Sequence, residues 1–514
     1  MKTKTKIMRI TILVTLVLFQ FWSVKGQTSL KEMNLNSGKY KVGFKHYTAI
    51  DSTRTYQIKN DFNNQFINRP IPISIWYPTV IENSNAHQLT VLDYMEILKE
   101  EEESKNLPNE LLLDWFPGLG DTPQNRAHLS EKVNALSNTS FLEGKFPVIV
   151  YAPSYQASSI ENFALFEYLA SNGFVVISSP SRGTDTRWLE GGTTKDMETQ
   201  SRDVEFLLKE IHKYEYIDFD RIALMGFSFG GLSNAITVMK NKNISAIVSL
   251  DGTERYNYPV LEKSPYFNLD KFNIPYIHFA QKDIPEEVLT SDKIPAELNY
   301  KFKLYDSLIY SNAHSYKFHD LTHSYFGSIG ILFAYRDKRQ DKSDDKIMAS
   351  YKLLSQHTLQ FLNATLKNDE NAKEFIENSP DKNSISENLI SKKMKKSLMK
   401  EFDFNDLALN QGYRDLIPLY KKAVAKHPTL KLEEGMLNNL GLRLSFNAGK
   451  MEQGINVFLL AVHIYPKSAN LYDSLALAYL YNMDIKNAIS NYKKSLELNP
   501  ENQNAIDRLK QLKE

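Results

Sequence analysis

The sequence predicts an α/β domain with a doubly wound, mostly parallel sheet, followed by an all-α domain. Between about Gly38 and Leu366, short strand patterns alternate with helical patterns, which is typical of βαβ units around a parallel sheet. The predicted strands are rich in Val and Ile, as in a sheet that is covered by helices on both faces. Over residues 401–514 the patterns are helical throughout.

The first element along the chain is a predicted signal peptide over residues 1–26. Four basic residues lie within the first nine positions, and an apolar run over 10–22 precedes a cleavage site before Gln27. A membrane anchor is the alternative, but this run has 13 positions and a spanning helix needs about 20. We therefore expect an exported bacterial protein, secreted or periplasmic, with no stable membrane span after cleavage.

The predicted α/β domain covers residues 27–366. Its strand pattern lapses between 81 and 145, where an amphipathic stretch over 91–103 predicts a helix. A long insertion of this kind is often a cap over a site, and a pair of surface helices without a role in binding is the alternative. The clearest predicted strands are 71–76, 147–151, 174–178, 222–225, 244–250 and 276–280, and the predicted helices are 159–171, 195–213 and 231–240.

Residues 367–400 are rich in Lys, Glu, Asn and Ser and predict a linker with some helix. In the helical domain that follows, Pro466 and Pro500 lie 34 residues apart, and each closes a helix with an aromatic residue eight positions earlier. This spacing resembles the tetratricopeptide repeat, a helical hairpin of 34 residues. A plain antiparallel helix bundle is the alternative. The signature positions of the last unit are Tyr472, Leu475, Ala476, Tyr479, Ala488, Tyr492, Ser495 and Pro500.

The composition is that of an ordinary globular protein. Of the 514 residues, 42% are hydrophobic and 24% are charged, which argues against a disordered chain. The net charge of +1 gives no excess of basic groups, so nucleic acid is not an expected partner. The absence of cysteine excludes disulfides, thiolate metal sites and a cysteine nucleophile.

The clearest sign of a catalytic function is the segment Gly226-Phe227-Ser228-Phe229-Gly230. A predicted strand precedes it and a predicted helix follows it, which is the setting of a nucleophilic serine on a sharp turn. Neighbouring side chains would collide in such a turn, hence the glycines two positions before and after Ser228. The alternative is that the glycines serve close packing and the serine is a bystander.

A nucleophilic serine needs a base to take its proton and an acid to orient that base. In this fold the chain order is serine, then acid, then histidine. Asp251 and Asp283 each follow a predicted strand downstream of Ser228, and only one of them can orient the base.

Three histidines are candidate bases. His314 precedes a strand predicted over 315–321, His319 lies on it, and His323 follows it on a loop from which a base can reach the nucleophile. A zinc pair of His319 and His323 is the alternative, but it needs a helix and lacks the intervening Glu of metalloproteases. We expect neither a metal nor a cofactor.

Six segments between residues 38 and 330 form a wider pattern: Ile75-Trp76-Tyr77-Pro78, Phe146-Pro147-Val148-Ile149-Val150, the stretches 169–176 and 220–223, Gly226 to Gly231, and His323-Ser324-Tyr325-Phe326. Together they resemble the α/β hydrolases of the platelet-activating-factor acetylhydrolase and dienelactone-hydrolase-like branch. The resemblance implies an α/β-hydrolase sheet and, as an activity, the hydrolysis of carboxylic esters.

The resemblance also implies a role for each triad residue. Ser228 would be the nucleophile, and His323, followed three residues later by Phe326, would be the base. The acetylhydrolases have their acid at the end of the strand after the nucleophile's helix, which favours Asp251. In many other α/β hydrolases the acid lies one strand later, which would make it Asp283.

Two backbone N–H groups are predicted to stabilise the oxyanion of the reaction. One is that of Phe229, at the start of the helix. By resemblance the other is that of Tyr155, in the loop Pro153-Ser154-Tyr155 where the family usually has His-Gly before the donor.

The sequence thus predicts an exported serine hydrolase that cleaves a small-molecule or lipid ester through an acyl-enzyme on Ser228. The alternative, motivated by the changed oxyanion loop, is a catalytically inactive binding or adaptor protein. In either case the repeats are expected to bind a protein partner or to dock on the hydrolase domain.

Overall fold

The computed structural model describes residues 28–58, 65–80, 86–116, 118–378, 386–392, 401–428 and 430–512. The chain divides into an α/β unit, Met1–Met394, and a helical unit, Lys395–Glu514. The predicted signal peptide over 1–26 lies outside the described residues and stays a prediction. Within the described ranges, no helix is long and apolar enough to cross a membrane.

One mixed sheet, formed by twelve strands of the described residues, is the framework of the α/β unit. In chain order the strands are β1 Lys41–Gln57, β2 Phe66–Val80, β3 His87–Thr90, β4 Lys132–Ser137, β5 Ser140–Phe141, β6 Phe146–Ala152, β7 Val175–Ser178, β8 Ile217–Phe227, β9 Ala246–Leu250, β10 Tyr276–Ala280, β11 Ala313–Phe318 and β12 Ser386–Lys392. Their order across the sheet is β12-β11-β10-β9-β8-β6-β7-β2-β1-β4-β3, with β5 paired to β2.

The six central strands, from β11 to β7, are all parallel. Antiparallel strands flank them, because β2 pairs with β7 on one side and β12 pairs with β11 on the other. All of the strands listed from the sequence are present, as β2, β6, β7, β8, β9 and β10. The prediction of a mostly parallel sheet is therefore confirmed for its centre, while its edges are mixed.

Helices cover both faces of this sheet. They are α1 Leu30–Met33, α2 Val91–Glu101, α3 Leu112–Trp115, α4 Pro123–His128, α5 Phe163–Ser171, α6 Thr194–Glu210, α7 Phe229–Lys240, α8 Tyr258–Glu262, α9 Glu286–Ser291, α10 Lys303–Ser307, α11 Ser328–Phe333, α12 Asp344–Leu366 and α13 Glu370–Asn378. Alternate residues of β6 enter two separate cores: Val148 and Val150 pack with α6 and α7, whereas Ile149 and Tyr151 pack with α5 and α12. Burial on both faces explains why these strands read as unbroken apolar runs.

The region 81–145 contains strands that the sequence analysis did not predict. β4 pairs with β1, β3 pairs with β4, and β5 pairs with β2, so all three extend the sheet beyond the parallel block. They are short and partly polar: in β3 only Leu89 is buried, and in β4 only Val133 and Ala135. A pattern this short carries little sequence signal, and pairing with the neighbouring strands β1, β2 and β4 determines these strands instead.

The predicted linker over 367–400 also contains regular structure. Helix α13 packs Ala372 and Ile376 into the α/β unit, and β12 adds an antiparallel strand to β11, with Ala313 opposite Lys392. The α/β unit thus extends past Leu366, where the sequence analysis placed its end.

The helical unit confirms the predicted all-α domain. Its helices are α14 Glu401–Asn410, α15 Leu416–Lys426, α16 Glu434–Ser445, α17 Met451–Ile464, α18 Ala469–Tyr481, α19 Ile485–Leu498 and α20 Gln503–Gln511. Met451 and Ile485, which begin the second helices of two successive hairpins, lie 34 residues apart. The tetratricopeptide nature of these hairpins stays a prediction.

Candidate active site

Ser228 lies at a sharp bend between β8 and α7. Its backbone has φ of 52° and ψ of −116°, a conformation that costs energy for any residue with a side chain. A Cβ on Gly230 would lie 1.9 Å from Ala152 O, and one on Gly226 would lie 2.5 Å from the carbonyl carbon of Gly230. The two glycines therefore permit the close approach that the bend requires.

Hydrogen bonds from the neighbouring strand hold this strained bend. Ser228 N donates to Leu250 O at 3.0 Å, at the end of β9, and Ser228 O accepts from Thr253 N at 2.8 Å. Because β8 and β9 are adjacent and parallel, their carboxyl ends meet at one edge of the sheet, the usual location of a site in an α/β fold.

His323 reaches Ser228 from a 3-10 helix, His323–Phe326, that follows β11. Its Nε2 lies 2.9 Å from Ser228 Oγ. The imidazole packs against the ring of Phe227, and the two ring centroids are 5.0 Å apart. The other two candidate bases lie elsewhere. His314 is on β11, where burial lowers its pKa to about 4, and His319 is in the turn after that strand, which ends earlier than predicted.

Asp251 is fully buried directly after β9 and hydrogen-bonds the imidazole. Its Oδ2 lies 2.6 Å from His323 Nδ1, and its own φ is 41°. Burial alone would raise the pKa of Asp251, but the hydrogen bond and charge of His323 outweigh burial and lower it. The alternative acid, Asp283, has a side chain 57% exposed and pairs with Lys317 Nζ at 2.5 Å. The structure thus brings Asp251, and not Asp283, to the base.

Two residues that sequence reasoning missed fix the far side of the acid. Tyr256 OH and Gln281 N donate to Asp251 Oδ1 at 2.9 and 3.0 Å. The Gln281 side chain accepts from His323 N at 3.1 Å and donates to Tyr256 OH at 3.2 Å, so it connects the acid to the base. The only sequence signal was position, because Gln281 directly follows β10.

Tyr155 and Phe229, the two predicted oxyanion donors, are neighbours in space. Their rings meet edge to face with centroids 5.8 Å apart. Among the described residues, neither Tyr155 N nor Phe229 N makes a hydrogen bond. Tyr155 OH accepts from Gly191 N at 2.9 Å, which anchors the exposed side chain.

The site carries no sign of a metal centre in the part of the chain that the structure describes, since no group of three or more His, Asp or Glu side chains there could hold an ion. The site contains the Ser228 hydroxyl, the His323 imidazole, the buried Asp251 carboxylate and the backbone N–H groups of Phe229 and Tyr155. Nucleophilic catalysis uses groups of these kinds.

Parts of the chain are similar to known proteins. Residues 161–264, the part that holds Ser228 and Asp251, match the model of the prolyl oligopeptidase family. A ferulic acid esterase from Streptomyces cinnamoneus is similar in structure, with a TM-score of 0.44 and 16% sequence identity over 65% of this chain and 92% of that one. No curated protein matches the chain. The matched residues 161–264 thus lie in the α/β unit and include two of the three residues of the hydrogen-bonded Ser228–His323–Asp251 arrangement.

Proposed function

We propose that this protein hydrolyses carboxylic esters through an acyl-enzyme on Ser228. The observation that carries the proposal is the hydrogen-bonded chain from Ser228 Oγ to His323 Nε2, at 2.9 Å, and from His323 Nδ1 to Asp251, at 2.6 Å. These are the contacts by which a base activates a hydroxyl and an acid fixes the tautomer of that base.

The reaction follows from these contacts. Ser228 Oγ attacks the ester carbonyl carbon while His323 Nε2 takes its proton, and the N–H groups of Phe229 and Tyr155 stabilise the oxyanion that forms. The C–O bond to the alcohol then breaks, and His323 gives its proton to the leaving oxygen. Water next attacks the acyl carbon, again with His323 as base, and releases the carboxylic acid and free Ser228. Asp251 stabilises the imidazolium at both stages.

The test is Ser228→Ala with p-nitrophenyl acetate as substrate. Loss of the nucleophile should lower kcat by about 10⁶-fold. Ser233→Ala is a matched control, because Ser233 is likewise a buried serine, lies in α7, and its Oγ makes no hydrogen bond with the described residues. A Ser228→Ala protein that retained wild-type turnover would end the proposal.

Peptide hydrolysis is the second candidate reaction, and the match of residues 161–264 to the prolyl oligopeptidase family favours it. The same groups would act on an amide, with the amine as leaving group. Comparing kcat/KM for p-nitrophenyl acetate with that for a set of peptide p-nitroanilides distinguishes the two. Turnover of the anilides alone would assign the site to peptides.

A catalytically inactive adaptor is the alternative that the changed oxyanion loop motivates. Reaction with a fluorophosphonate probe separates it from an enzyme, since labelling requires an activated serine. If the probe labels the wild-type protein and does not label Ser228→Ala, the inactive adaptor is excluded.

Export and a protein partner complete the proposal. The basic start and apolar run over residues 1–26 support export to the periplasm or medium, where a small-molecule or lipid ester would be the substrate. The helical unit has a cavity of about 320 Å³ lined mainly by apolar side chains, among them Phe404, Leu437 and Leu460. It supports binding of a partner by tetratricopeptide-like hairpins.

A further inference from the structure

Glu161 is a partly buried carboxylate beneath the oxyanion loop that the proposed mechanism does not use. It accepts hydrogen bonds from Ser154 N at 2.9 Å, from Ser154 Oγ, and from Tyr151 OH at 3.0 Å. Burial of this carboxylate raises the pKa of Glu161 to about 7, although these hydrogen bonds and the charge of His323 oppose the rise. Keeping such a group is costly, which indicates a role beyond filling space.

The contacts of Glu161 set the orientation of the loop's peptide groups. Glu161 holds Ser154 N, while Gln200 Nε2 donates to Pro153 O, the carbonyl of the same peptide, at 2.9 Å. In the next peptide, Ser154 O accepts from Ala157 N at 3.2 Å. Because a trans peptide points its C=O and N–H in opposite directions, the Tyr155 N–H must point away from that contact. The loop from 153 to 160 contains no glycine, so its path depends on such anchors.

The same residue also connects the loop to the segment that carries the base. Glu161 O accepts from Ile329 N at 3.2 Å, shortly after the 3-10 helix of His323. Next to it, Asn162 Nδ2 donates to Phe326 O at 2.9 Å, at the end of that helix. Glu161 and Asn162 therefore join the two sides of the site.

We propose that Glu161 is a positioning residue: its carboxylate holds Ser154 so that the backbone N–H of Tyr155 is fixed as the second oxyanion donor. This role rests on the proposed serine hydrolase mechanism. It explains how a loop without the usual glycine keeps a donor in place, and it makes the transition state, rather than substrate binding, sensitive to Glu161.

The test compares Glu161→Gln with Glu167→Gln. Glu167 is a matched control, because it is a buried carboxylate that, like Glu161, accepts from a tyrosine, here Tyr94 OH at 2.7 Å, and from backbone N–H groups, here of Asn134 and Ala135. Burial raises the pKa of Glu167 to about 7 as well. It lies towards β4, so the two variants remove similar charges at different places.

Two measurements are made on each full-length variant: kcat and KM for p-nitrophenyl acetate, and Kd for butylboronic acid, which forms a tetrahedral anionic adduct with an active serine. Glu161→Gln should lower kcat roughly 10- to 100-fold with KM little changed and weaken the boronic acid by a similar factor, within the ~10² to 10³ that loss of one oxyanion donor costs. Glu167→Gln should change neither by more than about twofold.

The outcomes separate this proposal from the proposed function. A Glu161→Gln protein that matches wild type in kcat and in boronic acid affinity would overturn the positioning role alone. A wild-type protein without turnover or boronic acid binding would overturn both. If Glu161→Gln does not fold, Ser154→Ala replaces it: loss of the Oγ contact should lower kcat by a smaller factor, and unchanged kcat and affinity there would overturn the role.

Discussion

Replacing Asp251 by Asn changes one atom of the carboxylate that orients the base. Oδ1 of Asp251 accepts from Tyr256 OH and from Gln281 N, and a backbone N–H can only donate. In the variant the amide oxygen must therefore occupy this side. The amide NH₂ then faces His323 Nδ1, which has to accept, so the ring proton moves to Nε2. Nε2, 2.9 Å from Ser228 Oγ, can no longer take the serine proton.

The expected loss is about 10⁴-fold in kcat, which corresponds to roughly 5.5 kcal/mol of barrier, with KM little changed. Steady-state turnover of p-nitrophenyl acetate measures it, and thermal unfolding checks that the variant folds. Asp283→Asn is the control, because Asp283 is exposed and pairs with Lys317. Turnover of Asp251→Asn within tenfold of wild type, or an equal loss in Asp283→Asn, would refute the assignment of the acid.

Two further predictions concern stability. Gly230→Ala places a Cβ 1.9 Å from Ala152 O, so it should lower the free energy of unfolding by ~2 kcal/mol or more and should also lower activity. Gly435→Ala is the control, because a Cβ on Gly435 meets nothing within 4 Å. Equal melting temperatures of the two variants would contradict this prediction. Burial raises the pKa of Glu254 to about 7, so its protonated form stabilises the fold below about pH 4 and this contribution is lost as the pH rises through 7. Between pH 5 and 8, wild type should therefore lose about 2 to 3 kcal/mol more than Glu254→Gln in urea unfolding, and parallel pH profiles would argue against it.

The catalytic geometry was accessible from sequence because each of its residues follows a strand. Ser228 and Asp251 come directly after β8 and β9, and His323 follows β11. Apolar runs and chain order therefore reduced the acid to Asp251 or Asp283, and the family resemblance favoured Asp251. Gln281 and Glu161 act instead through side chains that reach across loops, and their partners depend on distances that no pattern encodes. Their identification required coordinates.

The edge strands of the sheet were less predictable from sequence than its central strands. The central strands are buried on both faces and carry a strong apolar signal. β3 is four residues long and β12 is seven residues long, and both include polar residues. They form strands because pairing with strands distant in sequence completes their hydrogen bonds. For the same reason, the predicted linker over 367–400 contained a strand that composition did not indicate.

The position of β12 bears on how the protein can be divided for expression. Along β11, residues from Ala313 to Phe318 pair with β12 on one side, so this strand does not form the border of the sheet. A protein cut near Leu366 would leave the outer N–H and C=O groups of β11 without partners, and an open strand of this kind invites pairing between molecules and aggregation. A cut made after Lys392 would keep that border closed.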